Sequence, residues 1–225
     1  YIAIRRPMKT PTAGTEVFQA LSYAGTGTFP DGTDPVSGTA TRTISSSLGF
    51  DVDMSMTYWR SGGSAPTPTA SLMDKLRGVY NELLTYDASA ESQYSNTGPR
   101  YSTRASRAFD LHDYGIEQLN QSGQALLSYV FSRAPGFMDV VAYTGNFSTS
   151  ATQAHNLGVV PELILVKGRS QAYDWQGYSE PTGTGKVLWL NQNYQATNSL
   201  VTWNNTSPTA SVFTVGQTAD VNASN

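Results

Sequence analysis

The chain has 225 residues, no cysteine and a formal net charge of −3, with 14% of its residues charged. These values exclude a disulfide framework and a thiolate metal site, and they leave no basic stripe of the kind that nucleic-acid binding needs. No run of 18 apolar residues occurs, so no segment reads as a membrane-spanning helix.

Thr, Ser, Asn and Gly are abundant, and Val, Ile, Tyr and Trp fill the apolar stretches. That mix suits short strands joined by tight turns and predicts an all-β fold. Residues 1–7 (YIAIRRP) read as the last strand of a preceding unit, and 8–16 as a linker. A strand is predicted from Val17 to Ala24 and another from Ala40 to Ser46, separated by a Gly/Pro/Asp loop. Alternation then places Val52, Met54, Met56 and Tyr58 on one face of a strand. Over Ser71 to Tyr86 a helical spacing competes with a strand, and the favoured reading is a turn of helix at 71–77 and a strand at 79–86. Residues 88–106 read as a polar loop, 108–111 and 116–119 as brief strands, and Ala125 to Phe131 as the closing strand. Arg133-Ala134-Pro135-Gly136 breaks that strand at a corner.

Beyond the corner, Val140 to Tyr143 is predicted to be the first strand of a second unit. Residues 162–167 (ELILVK) form the most apolar strand, expected at the centre of its sheet. Further strands are predicted at 186–190, 202–203 and 210–215, with a turn at Asn222-Ala223-Ser224.

The second stretch repeats the first. Tyr23 corresponds to Tyr143, Leu48-Gly49 to Leu157-Gly158, Arg60-Ser61 to Arg169-Ser170, Phe109 to Phe213 and Asn120 to Asn222. Tyr1 to Pro7 likewise parallels Tyr129 to Pro135. The period is too long for a solenoid, so each copy can own a core. The expectation is two tandem antiparallel β-sandwich domains, jelly-roll-like: 1–16 as an end strand and linker, 17–135 as the first unit and 136–225 as an incomplete second unit. The chain is expected to be a segment of a longer polypeptide.

The residues LGVVPELILVKGRS, the Tyr/Trp pair after them, KVLWLN, TWNNTSPTASVFTVG and VNAS resemble the repeated β module of structural proteins from marine tailed bacteriophages. The resemblance covers nearly the whole chain, with the first unit the looser match. It implies a virion protein of the tail-fibre or appendage type, partnered with other virion proteins, and carries no catalytic activity onto any residue. Fibres of this type are often trimers, so a homo-oligomer is expected, with no nucleic acid, no membrane insertion and no cofactor.

No catalytic or metal-binding constellation is predicted. His155 is a lone turn histidine, and metal sites need clusters. His112 with Asp110 and Asp113 is expected to cap or solubilise a turn, and no G-x-S-x-G elbow accompanies it. The pairs Asp174 with Glu180 and Glu82 with Asp87 are the carboxylates that a polysaccharide-cleaving spike could use. Arg100, Arg104 and Arg107 read as a solvated face. Tyr173, Trp175 and Tyr178 are the candidates for ligand or interface contact, because aromatic faces stack on sugar rings and anchor interfaces. Packing in a core is the competing reading for these three. A host surface glycan is the corresponding ligand, and a capsid decoration protein is a further alternative.

Overall fold

The structure, a computed structural model, describes residues 9–27, 41–45, 47–62, 70–78, 81–93, 101–102, 107, 109–112, 117–120 and 122–224. The first unit contains β1 (Phe18–Ala24), β2 (Thr41–Ser45), β3 (Met54–Ser61), β4 (Ala70–Asp74), β5 (Asn81–Leu84), β6 (Ser92–Gln93), β7 (Tyr101–Ser102), β8 (Phe109–His112), a single helical turn α1 (Glu117–Asn120) and β9 (Ala125–Phe131). The second contains β10 (Ala151–Ala154), β11 (Leu163–Val166), β12 (Gln176–Ser179), β13 (Lys186–Trp189), β14 (Thr197–Asn198), β15 (Val212–Val215) and α2 (Ala219–Asn222). All pairings are antiparallel. The chain is all-β, built as two tandem antiparallel β-sandwich units.

Strand β9 holds the first unit together. Its sequence, ALLSYVF, alternates with a period of two, which sends Leu126, Ser128 and Val130 to one face. All three have no exposed surface. The strand pairs with β1 on one side and β3 on the other, giving the sheet order β1-β9-β3-β4-β5-β6. Its inner face meets Phe109 and Leu111 of β8, from the facing sheet β2-β8-β7, with Leu48, Phe50, Val52, Met73 and Leu119. Burying one such side chain stabilises the fold by roughly 1.5–3 kcal/mol. A hydroxyl pair, Thr57 and Ser128, sits buried in the same layer at 2.8 Å, satisfied as a buried polar pair must be.

The second unit repeats the register of four of these strands, β3 to β6. Ser55 pairs with Met73, and Ile164 pairs with Tyr178. The offsets are 109 and 105 residues (164 − 55 and 178 − 73). The same offsets map four of the five pairs of the β3–β4 ladder onto the β11–β12 ladder, all but Tyr58 with Ala70. The 105-residue offset maps β4–β5 onto β12–β13 and β5–β6 onto β13–β14. β8 and β15 correspond, with Phe109 and Phe213 both buried. The second core gathers Val166 and Tyr178 from one sheet, Ala151, Phe213 and Val215 from the other, Trp203 from a loop and Val221 from α2.

Several expectations are corrected. Residues 71–74 are strand, not helix, because β4 is buried along its whole length between β3 and β5. The strand predicted at 79–86 is β5, four residues long, and residues 79–80 lie outside the described residues. The strand predicted at 116–119 is the helical turn α1, and of the turn expected at 222–224 Asn222 is the last residue of α2. Thr202 and Trp203 lie in turns, Trp203 reaching the core from there. On β3 the fully buried face is Ser55 and Thr57, while Met54, Met56 and Tyr58 are half-buried on the other. The apolar residues there face a second layer, described below.

Two corrections share one cause. Val140 to Tyr143 belongs to no paired strand. β11 is not central: it ends the order β11-β12-β13-β14, with Leu163 60% exposed. In the first unit the counterparts of these two stretches, β1 and β3, are joined by β9. Among the described residues no strand occupies that position in the second unit.

Candidate functional site

The outer face of the first sheet carries Met54, Met56, Tyr58, Leu72 and Leu83, with Phe18 and Tyr129 stacked beside them at 6.0 Å between ring centroids. The second unit sets Trp175 onto this face. Trp175 is 3% exposed, packs on Leu72 and Leu83, and donates its indole N–H to the carbonyl of Leu84 at 2.8 Å. A buried indole with a satisfied N–H combines large apolar area with one directional contact.

Polar contacts run alongside. Arg169 forks onto Glu91, its Nη2 donating to Oε1 at 2.7 Å and its Nε to Oε2 at 2.5 Å. The Glu91 N–H donates to the Arg169 carbonyl at 2.8 Å. Glu91 also receives Arg77, whose guanidinium pairs with the buried Asp74. The Glu91 partner raises the Arg169 pKa by hydrogen bonding, against burial. Lys167 donates to the carbonyls of Ala88 and Gly168, and burial pulls its pKa down, opposed by Asp87, Asp174 and Asp220.

The corner between the units is fixed by the same kind of contact. Gly136 sits at φ +71°, a left-handed conformation suited to glycine, and Ala134 bridges to Met138. The Arg133 N–H donates to Asp53 at 2.8 Å, and the Arg133 side chain donates to Asp139 at 2.7 Å. Asp139 also accepts the Asn156 N–H at 2.8 Å. Burial pushes the Asp139 pKa up, but the Asn156 N–H and the Arg133 hydrogen bond and charge outweigh it and hold the carboxyl below its ordinary range. Between the units lies a crevice of about 790 Å³, with Met54, Met56, Leu83 and Phe131 on one bank and Tyr143, Leu165, Lys167 and Trp175 on the other.

A twin constellation closes each unit. The Tyr23 hydroxyl donates to the Leu119 carbonyl at 3.1 Å, and the Tyr143 hydroxyl to the Val221 carbonyl at 2.5 Å. Asn120 accepts the Thr26 N–H, and Asn222 accepts the Asn146 N–H. Burial raises both phenols, Tyr23 to about 12, so both remain neutral donors. The next residue is left-handed in both units, Gly27 at φ +71° and Phe147 at φ +54°. Gly145 approaches so closely that a Cβ would lie 2.0 Å from the Ala223 carbonyl oxygen.

The three aromatic candidates do not form one cluster. Trp175 faces the first unit. Tyr178, three residues on, faces its own core edge-on to Trp203 at 6.1 Å between ring centroids. Tyr173 is half-buried against Gly168 and lines the crevice. His155 is buried, stacked on Phe213, and accepts the Leu157 N–H at Nδ1, which leaves Nε2 to donate to the Thr209 carbonyl. Asp174 accepts Asn191 and Gln192 and lies beside Asp220, whose carboxylate takes its backbone N–H. Glu82 is buried on β5, and Asp87 accepts the Ser89 N–H in the turn beyond it. Asp113, Arg100, Arg104 and the side chains of Asp110 and His112 lie outside the described residues, and Arg107 is exposed.

Residues missed by sequence reasoning are Glu91, Leu72 and Leu83. The available signal was β3 itself, whose second face carries methionines and a tyrosine where a solvated face would be polar.

The fold and the joint define a tandem β-module protein whose halves are locked by side-chain packing. Residues 130–225, less than half of the chain, match a family described as a domain of unknown function (DUF7483). No curated protein and no solved structure matches the chain.

Proposed function

We propose that the chain is part of a bacteriophage structural protein, a tail fibre or external appendage built of repeated β modules. The observation that carries this reading is the joint. Two units of one plan are coupled through buried Trp175 and the Arg169–Glu91 fork, a contact that suits rigid spacing rather than independent swinging. The residue patterns shared with the repeated module of marine phage structural proteins support the virion setting. Copies assemble as a homo-oligomer, with a trimer as the state to test first, among other virion proteins. Repetition across copies multiplies weak contacts.

A host glycan remains the second reading, moved to another place. Trp175 and Tyr178 are buried, whereas Trp189 and Tyr194 form an edge-on pair with Tyr194 63% exposed. The test is antibody-gold labelling of intact phage particles, followed by competition of phage adsorption with purified protein. Gold on the tail or an appendage supports the proposal. Gold spread over the capsid makes the protein a decoration protein, and unlabelled particles overturn the virion assignment. A saturable adsorption block that Tyr194→Ala abolishes favours the glycan reading.

A further inference from the structure

Among the described residues, the second unit leaves one strand position open. One bank is β11, the other is the unpaired stretch 139–143. Between them lies a groove of about 170 Å³, with Val141 and Tyr143 on one side, Leu163 to Lys167 on the other and Phe213 at the floor. By the repeat, 138–144 stands where β1 stands and β11 where β3 stands (143 − 23 = 120; 164 − 55 = 109). In the first unit β9 fills that interval, pairing with both neighbours.

The groove presents backbone groups ready to pair. The Glu180 N–H donates to the Glu162 carbonyl. Antiparallel ladders alternate, so Ile164 and Val166 point their backbone toward β12. Leu163 and Leu165 therefore point N–H and C=O groups into the groove. Both side chains are exposed, at 60% and 39%, an apolar edge that proteins ordinarily cover or blunt. The outer rim of the groove opens into the crevice beside Met54, Met56 and Phe131, where the outward side chains of an added strand would lie.

We propose that this position accepts an extended strand of the β9 pattern, donated by a further repeat unit, so that units join by strand addition. The occupant's chemistry follows from β9. Small or apolar residues alternate inward, as Leu126, Ser128 and Val130 do, and an Arg-x-Pro corner follows. The pattern recurs in the sequence: Tyr129 to Pro135 (YVFSRAP) has a counterpart in Tyr1 to Pro7 (YIAIRRP). The repeat also sets the register. The residue equivalent to Val130 falls opposite Ile164 on one side and Asp139 on the other (139 − 19 = 120). Glu162 takes the place of Asp53, which accepts the backbone N–H at the end of β9's run in the first unit. This inference is independent of where the protein acts.

The test adds a synthetic peptide with the sequence of residues 124–135 to the full chain. Binding is followed by fluorescence anisotropy, and amide hydrogen exchange is followed at Leu163 and Leu165. The expected result is saturable one-to-one binding that protects both amides. A peptide of the same composition in shuffled order should not bind. Leu163→Lys, which blunts an edge at an exposed position, and Leu165→Pro, which removes an N–H that β12 does not use, should each weaken binding about tenfold or more. Their thermal unfolding serves as the folding control. If the amides are already protected without peptide, deletion of residues 1–8 should expose them and open the position to the peptide. Persistent protection after that deletion overturns the proposal. So do an absence of binding to a chain whose two amides exchange freely, and equal binding of the shuffled peptide.

Discussion

The two units share registers, a closing tyrosine–asparagine constellation and a core plan, yet differ at one strand. In the first, β9 runs between β1 and β3 and contributes its three most buried residues. In the second, no described residue stands between the flanking stretches in its place. Leu163 and Leu165 are exposed where Met54 and Met56 are half-buried. The comparison separates two sources of order in a repeat. The ladders from β11 to β14 keep the registers of β3 to β6 with no β9 counterpart among the described residues, so those registers belong to the unit itself. Closure of the sheet depends on one late strand, and that strand leads directly into the corner joining the next unit.

Substitutions can break this comparison, the largest effect coming at the joint. Trp175→Ala should cost about 3–5 kcal/mol, the range for truncating a buried tryptophan, and should uncouple the units. Urea unfolding followed by circular dichroism would then show two transitions in place of one. Next come the twin asparagines. Asn120→Ala and Asn222→Ala each remove a buried amide that accepts a part-buried backbone N–H and should each cost about 1–2 kcal/mol, measurable as a shift in denaturation midpoint. If the units are true repeats, the two losses should be alike. The matching Tyr23→Phe and Tyr143→Phe substitutions remove one hydrogen bond each, at about 1 kcal/mol. Smaller again, Phe147→Gly should stabilise the chain by about 0.5–1 kcal/mol, since it places glycine at a left-handed φ, as Gly27 already does in the first unit.

The pH effect at the corner has a definite sign. The Asp139 carboxyl is held below its ordinary value of 3.8. Its contribution is therefore present above that value and lost as pH falls through the lowered folded value. Asp139→Asn should give a shallower loss of stability on the acid side and leave the neutral-to-alkaline side unchanged in shape, read from thermal unfolding across a pH series.

Much of the fold was legible in the sequence. Strand-forming runs bounded by turn signals located β1, β2 and β9, and paired landmarks such as Phe109 with Phe213 exposed the repeat. What failed did so for physical reasons. Leu72 and Leu76 fit helical spacing, but β4 lies between two strands and its Leu72 and Met73 serve opposite faces. Residues 162–167 are apolar enough for a central strand, yet β11 is an edge because its would-be neighbour is absent from the described residues. Trp175 could be picked as an anchor from residue type alone. Its partner could not, since Leu72 and Leu83 lie some ninety or more residues earlier (175 − 83 = 92) and no local pattern links them.

The central claim is that β3 has β9 as a neighbour and its counterpart β11 has no such neighbour among the described residues. Native-state hydrogen exchange on the monomeric chain tests it directly, by comparing the amides of Met54 and Met56 with those of Leu163 and Leu165. Protection at Met54 and Met56 with fast exchange at Leu163 and Leu165 is the predicted result. Equal protection at all four positions, persisting after deletion of residues 1–8, would mean that the second sheet is already closed, and would contradict the account.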